Sequence, residues 1–289
     1  MLSKVLVAGM CFSLIAGCVT KDDDESLKNS STVATSDIKA FYGVEVLADN
    51  KVNFYANFTQ ADQSLDLASG DAVAVEINSE KVSLIEFKNS SVITYSLVKR
   101  LDPVASSYVF DLSRRDYENA STSVVKVPVG FEPTEPSDKA TVNALNNTFM
   151  VRWQNDQTSS NSAGTSISNL TLRYDFDCRN GNSSYPASAV GSDSDTNITD
   201  NGQHEVDLNK VLNIPVQGFN LGRCDHFNIT MIRTDSSGVL DGALKDGSAV
   251  VGSQVRFIKK DRNGNVSHGD VILHKTKKLD KINKIETRS

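Results

Sequence analysis

Between Leu170 and Cys178, apolar and polar residues alternate without a break. Leu170, Leu172, Tyr174, Phe176 and Cys178 fall on one side; Thr171, Arg173, Asp175 and Asp177 fall on the other. A period of two sends successive side chains to opposite faces of an extended chain, so this stretch buries a single face only as a β-strand. The same period runs through Val52, Phe54, Ala56 and Phe58, through Val73, Val75 and Ile77, and through Phe149, Val151 and Trp153. Further candidate strands cover residues 42–47, 82–87, 92–97, 107–112, 123–127, 203–208, 227–233, 250–259 and 270–274. Turn-forming residues separate many of them, as at Asp49-Asn50-Lys51 and Gly70-Asp71, and no helical stripe exceeds two turns. Leu208–Leu212, with Asp207 as a cap, is expected to form one helical turn or two. Many short strands at roughly regular spacing predict an all-β fold built as antiparallel sandwiches.

A chain of 289 residues suits about two domains of ordinary size. The best boundary is Pro-Val-Gly-Phe-Glu-Pro-Thr-Glu-Pro at residues 128–136, which holds three of the six prolines. Proline stiffens a chain and donates nothing to a β-ladder. The expected organisation is a first sandwich over residues 40–130, a Pro-rich linker over 131–140, a second sandwich over 141–274 and a basic tail over 275–289. The run Phe149-Met-Val-Arg-Trp153 resembles the early tryptophan strand of fibronectin type III modules. With the strand pattern and the Pro-rich boundary, the expectation is two tandem Ig-like or fibronectin-like sandwiches. Trp153 precedes both Cys178 and Cys224, whereas in antibody-type domains the tryptophan lies between the cysteines. The chain is therefore not assigned to that family.

The first residues carry an address. Lys4 gives a positive start, and residues 5–14 are an apolar run too short to span a bilayer. With small residues following, this is the pattern of a secretory signal peptide. The small residues lead into a cysteine, as Ile15-Ala16-Gly17-Cys18, and this resembles the lipobox of bacterial lipoproteins. The resemblance implies that residues 1–17 are removed and that the Cys18 thiol receives diacylglycerol. Several acyl chains, at about 0.8 kcal/mol per buried methylene, hold a protein stably on a membrane. Val19 stands where an aspartate retains many such proteins at the inner membrane. The resemblance thus implies a lipid anchor in the outer membrane, with the periplasmic face favoured. Residues 18–39, including Lys21-Asp-Asp-Asp-Glu25, read as a flexible acidic tether. The acidic run is also similar to a surface-export signal of some bacterial lipoproteins, which would turn the protein outward.

In an exported chain, Cys178 and Cys224 form an even pair outside the signal peptide and anchor, which predicts a disulfide. Closing that loop contributes roughly 4 kcal/mol on the chain-entropy estimate. Asp193, Asp195 and Asn197 alternate as oxygen ligands do in a calcium loop, with Asp200 close behind. An EF-hand requires glycine at its sixth position and glutamate at its twelfth, and Ile198 and His204 stand there. A looser calcium site is the weak alternative to a polar loop closed by the Asn201-Gly202 turn. Asn263-Gly264 reads as a hairpin turn.

There is no G-x-S-x-G, no H-E-x-x-H, and no Walker or dinucleotide fingerprint. No catalytic residue, resident metal or cofactor is assigned, and the chain is expected not to be an enzyme. A hydrolase with dispersed residues is the remaining catalytic reading. The net charge of −6 gives no overall footprint for nucleic acid. The last 34 residues, from Arg256, are locally basic, with Leu279, Ile282 and Ile285 every third residue. They read as a solvated tail, or else as a weakly amphipathic contact with anionic lipid or wall polymer. The expected role is non-catalytic binding or structure in the bacterial envelope, with an envelope protein or wall polymer as partner. The alternative is a surface-exposed adhesin or glycan-binding lipoprotein.

Overall fold

The computed structural model describes residues 27–89, 92–137, 148–155, 169–179, 188–212, 224–260 and 266–268. The strands of the first half are β1 (Lys28–Asn29), β2 (Lys39–Val46), β3 (Lys51–Gln60), β4 (Gln63–Asp66), β5 (Ala72–Ile77), β6 (Glu80–Ser83), β7 (Ile85–Asn89), β8 (Val92–Arg100), β9 (Ser107–Ser113) and β10 (Ala120–Lys126). The second half holds β11 (Phe131–Glu135), β12 (Thr148–Asn155), β13 (Asn169–Arg179), β14 (Ser188–Ile198), β15 (Gln203–Asp207), helix α1 (Leu208–Leu212), β16 (Cys224–Asp235), β17 (Ala249–Lys260) and β18 (Val266–His268). The fold is all-β and sandwiched, as the alternating periods require.

The first core lies between the sheet containing β2, β3 and β8 and a four-stranded sheet ordered β10-β9-β5-β6. Val52, Phe54, Ala56 and Phe58 are fully buried along β3. They pack with Tyr42 and Val44 of β2 against Val73 and Val75 of β5 and Phe110 and Leu112 of β9. The rings of Tyr42 and Phe110 lie 4.9 Å apart, and those of Phe54 and Tyr108 meet edge-on at 4.8 Å. Each such side chain contributes about 1.5–3 kcal/mol relative to exposure. The second core lies between β13, β16 and the later part of β17 on one side and the three-stranded sheet β11-β12-β15 on the other. Leu170, Leu172, Tyr174 and Phe176 all face it, as do Val151, Trp153 and Val206, and α1 closes one end with Leu208, Val211 and Leu212.

The two cores are joined by more than a connecting segment. Strand β17 pairs in parallel with β2 through residues 249–254 and antiparallel with β16 through residues 252–260. Its Val250 belongs to the first core and its Ile258 to the second. Residues 239–251, expected within the second sandwich, thus return to the first, bringing Leu240, Ala243 and Leu244 against its core. A Cβ on Gly252 would lie 1.8 Å from the Lys126 carbonyl oxygen, so glycine is what lets the end of β10 cross over β17. The β2–β17 pair and the short β1–β4 pair are parallel, so the larger sheet is mixed rather than purely antiparallel.

Two further expectations need correction. The tether assigned to residues 18–39 is folded from residue 28 onward: β1 pairs with β4, and Val33 and Ile38 are buried in the first core. Residues 18–26 lie outside the described residues. The linker assigned to residues 131–140 begins as β11, whose Phe131 is fully buried in the second core and whose Pro133 stands opposite Trp153. β11 pairs only with β12 in the described residues, and a proline on such an edge costs no ladder bond.

Candidate functional site

The sheet face turned away from the first core is built by β2, β3, β8 and β7 in register. Ser96 of β8 stands between Tyr55 of β3 and Ile85 of β7, and Thr94 stands opposite Phe87. Alternation then puts Ile85, Phe87, Val92, Thr94, Ser96, Val98, Asn53 and Tyr55 on one face. Ile85, Val92 and Val98 are 61%, 40% and 42% exposed. They account for three of the five large hydrophobic side chains found exposed among the described residues, and all three sit on the β7–β8 hairpin. Next to them the rings of Phe41 and Tyr55 lie 5.9 Å apart. Tyr55 lies over Gly43, where any Cβ would meet its ring at about 2.0 Å. Burial holds the Tyr55 phenol well above its ordinary pKa, and Glu45 adds to the effect.

The sequence reading missed this hairpin because it took residues 82–87 as one strand. The chain leaves the four-stranded sheet after β6 and enters the larger sheet at β7, turning at the buried Leu84. The signal is Leu84-Ile85, two adjacent apolar residues that shift the alternating phase. Leu84 continues the buried phase, and Ile85 starts a phase that faces out.

A second feature is a shallow depression of about 300 Å³ lined by Asn29, Ser31, Ser69, Asp71, Arg115 and Tyr117, among others. Its floor is a buried ion pair: Arg114 Nε donates to Asp71 Oδ2 at 2.9 Å, with both side chains almost fully buried. The same guanidinium donates to the Ser30 and Val33 carbonyls at 2.8 and 3.0 Å. Ser30 Oγ donates to Asp71 Oδ2 at 2.7 Å. Tyr117 forms the rim, 37% exposed, its ring 5.0 Å from the Arg114 guanidinium.

Three of the residues proposed for calcium lie in strand β14 and the fourth, Asp200, lies just after it, and the carboxylates of Asp195 and Asp200 bind different partners. Asp195 binds cationic and hydroxyl partners: Lys210 of α1 through Oδ1, Tyr174 Oη at 2.9 Å and His204 Nε2 at 3.2 Å. Burial raises the Asp195 carboxyl, but the hydrogen bonds from Lys210, Tyr174 and His204 outweigh it and hold the pKa below the ordinary carboxylate value. Asp200 instead accepts from Trp153 Nε1 at 2.8 Å and pairs with Arg233 Nε at 2.7 Å. Asp193 is exposed, with its Oδ1 accepting from the Ser194 N–H. The Asn197 side chain lies outside the described residues. No group of three or more His, Cys, Asp or Glu among the described residues is placed to hold a metal.

Cys178 and Cys224 face each other across the β13–β16 ladder, next to a bulge at Asp177/Cys178. Only their backbones are described. Cys18, the Asn263-Gly264 turn, the candidate strand over 270–274 and the basic tail over 275–289 lie outside the described residues. No helix among the described residues is long and apolar enough to cross a membrane.

No protein-family model matches the chain, and no curated protein matches it. Among solved structures, a chain from the crystal structure of Dpr11 IG1 bound to DIP-gamma IG+IG2 is similar at 8% identity, covering 76% of this chain and 97% of that one, with a TM-score of 0.22. The Yersinia pseudotuberculosis adhesin InvE is similar at 11% identity, covering 77% of this chain, with a TM-score of 0.19. This chain spans 59% of the adhesin's length.

Proposed function

We propose that this chain is a lipid-anchored, non-catalytic binding protein of the outer membrane that holds an envelope protein on the exposed face of β7 and β8. The observation that carries the reading is the clustering of Ile85, Val92 and Val98 beside half-buried aromatic residues. Scattered exposed hydrophobics need no explanation, but three on one face of one hairpin, with polar Thr94 and Ser96 between Val92 and Val98 and the rings of Phe41 and Tyr55 beside them, make a mixed surface of the kind that binds protein. The anchor rests on the lipobox resemblance at Cys18. A photo-crosslinking residue at Val98 in living cells tests the patch: covalent adducts with an envelope protein are expected, and adducts should be lost in Val92→Asp. A chain that yields none in correctly localised protein overturns the reading. Cys18→Ser should abolish membrane association and acyl labelling; unchanged association removes the anchor.

The alternative, a surface adhesin or glycan-binding lipoprotein, attaches to the depression beneath Tyr117. An exposed aromatic rim over polar Asn29, Ser31 and Arg115 suits stacking against a sugar ring. Protease digestion of intact cells discriminates the two. Cleavage without permeabilisation, with glycan binding lost in Tyr117→Ala, favours the alternative; protection favours the periplasmic reading.

A further inference from the structure

Strand β7 has one hydrogen-bonded neighbour among the described residues, β8. Which of its main-chain groups stay open follows from the ladder. The Ile93 N–H is turned away from β7, donating to Ser64 Oγ at 3.0 Å. Antiparallel partners alternate between hydrogen-bonded and non-hydrogen-bonded pairs. Ile93 opposite Lys88 and Tyr95 opposite Glu86 are therefore non-hydrogen-bonded pairs. The N–H and C=O groups of Glu86 and Lys88 consequently point to the open side of β7, while those of Phe87 face β8.

We propose that a second copy of this chain docks on that edge, β7 against β7, antiparallel about a two-fold axis at Phe87. The sequence of the edge is self-complementary in this one register. The axis at Phe87 sets Glu86 of each copy opposite Lys88 of the other, twice. Both pairs fall at hydrogen-bonding positions, so the four open N–H groups find the four open carbonyls. Both side chains lie on the face shared with Tyr95 and Ile93, where Lys88 Nζ already binds Asp66 Oδ2 at 2.8 Å. In the dimer Lys88 sits between two carboxylates, Asp66 of its own chain and Glu86 of the other. On the opposite face, Phe87 meets its symmetry mate in a close non-hydrogen-bonded pair, flanked by the exposed Ile85. A shift of one residue either way loses both Glu–Lys pairs, so charge fixes the register.

An edge with no second ladder partner among the described residues and with outward apolar neighbours is a template for strand addition. A five-residue strand pair is smaller than the interface of roughly 1,000 Å² or more that a stable complex needs, so the dimer is weak and reversible in solution. Confinement on a membrane would raise its effective concentration. The proposal rests on the reading of this hairpin as an interaction surface and names one partner for its edge; the β8 face stays open beside it.

Sedimentation velocity of the full chain over a concentration series tests it. A reversible monomer–dimer equilibrium is expected. Glu86→Lys or Lys88→Glu alone puts like charges opposite each other at both symmetric positions, which should weaken association by about tenfold or more. An equimolar mixture of the two variants restores the pairing, as does the double variant. Phe87→Cys should crosslink between copies on mild oxidation, whereas Ile85→Cys, displaced from the axis, should not. A wild-type chain that stays monomeric overturns the dimer, as does a dimer indifferent to the charge reversals. If the dimer fails while Val98 crosslinks still recover an envelope protein, the proposed function stands without it. If the dimer holds while those crosslinks recover nothing but this chain, the binding of an envelope partner falls instead.

Discussion

Among the described residues, each sandwich contains one buried arginine that ties down an irregular segment, and the two are held differently. Arg114 is fully buried against Asp71, itself 4% exposed, and its remaining donors reach the Ser30 and Val33 carbonyls. Arg233 is equally buried, but its partner Asp200 is 16% exposed and is shared with Trp153. Its other donors reach the Val129 and Gly130 carbonyls, and its guanidinium lies 4.6 Å from the Phe131 ring centroid. In both places the fork of donors satisfies carbonyls of a segment that follows no ladder. Both segments have other anchors, the β1–β4 pair with buried Val33 and Ile38 in one and the buried Phe131 with the β11–β12 ladder in the other, so the two arginines differ chiefly in how far solvent reaches the carboxylate.

That difference orders the expected damage. Asp71→Ala leaves the Arg114 charge uncompensated in a dry site, and losing one partner of such a pair costs about 3–5 kcal/mol. Urea unfolding should show that loss, and limited proteolysis should cut first within residues 28–38. Asp200→Ala should cost less, about 2 kcal/mol, because solvent reaches the site and Phe131 still covers the guanidinium. Trp153 is the single tryptophan of the chain and loses an indole partner in this variant, so its emission reports the change directly. Equal losses in the two variants would show that burial of the carboxylate does not set the hierarchy.

The strands were legible where one face is apolar and the other is not. Val52 to Phe58 and Leu170 to Phe176 show the expected alternation in their burial. The segments around the two arginines were not legible, for a physical reason. Val33 and Ile38 are isolated apolar residues with no period, and their carbonyls accept from Arg114 and from the Lys245 N–H, donors more than 70 residues away in sequence. Pro133 suggested a linker because proline is excluded from central strands, but β11 is an edge, where that exclusion does not apply. Strand β14 was read as a loop because its Ser, Asp and Asn residues lack β-propensity. Nine register pairs with β13 supply what propensity does not. The shared strand β17 left a trace only in its length, since 12 residues are enough to serve two neighbours in succession. The hairpin that carries the proposed function was half legible, as an unexplained phase shift at Leu84-Ile85.

The smallest expected effect asks whether the two sandwiches respond to acid separately. Each holds a carboxylate whose pKa lies below the ordinary value. At Asp111, burial raises the carboxyl but hydrogen bonds from Lys81, Ser121 and Ser113 outweigh it; at Asp195, those from Lys210, Tyr174 and His204 do so. A depressed folded pKa means that the stabilisation is fully present above the unfolded value, about 3.9, and is lost as the pH falls through the folded value. Acid should therefore loosen both sandwiches below about pH 4. Asp195→Asn should flatten the acid limb followed by Trp153 emission, and Asp111→Asn the limb followed by amide exchange in β3. If each substitution alters only its own limb, the sandwiches unfold as separate units despite sharing β17. If either substitution moves both limbs, β17 transmits the loss, because a strand hydrogen-bonded to β2 and β16 within one sheet cannot leave one sandwich without fraying the other.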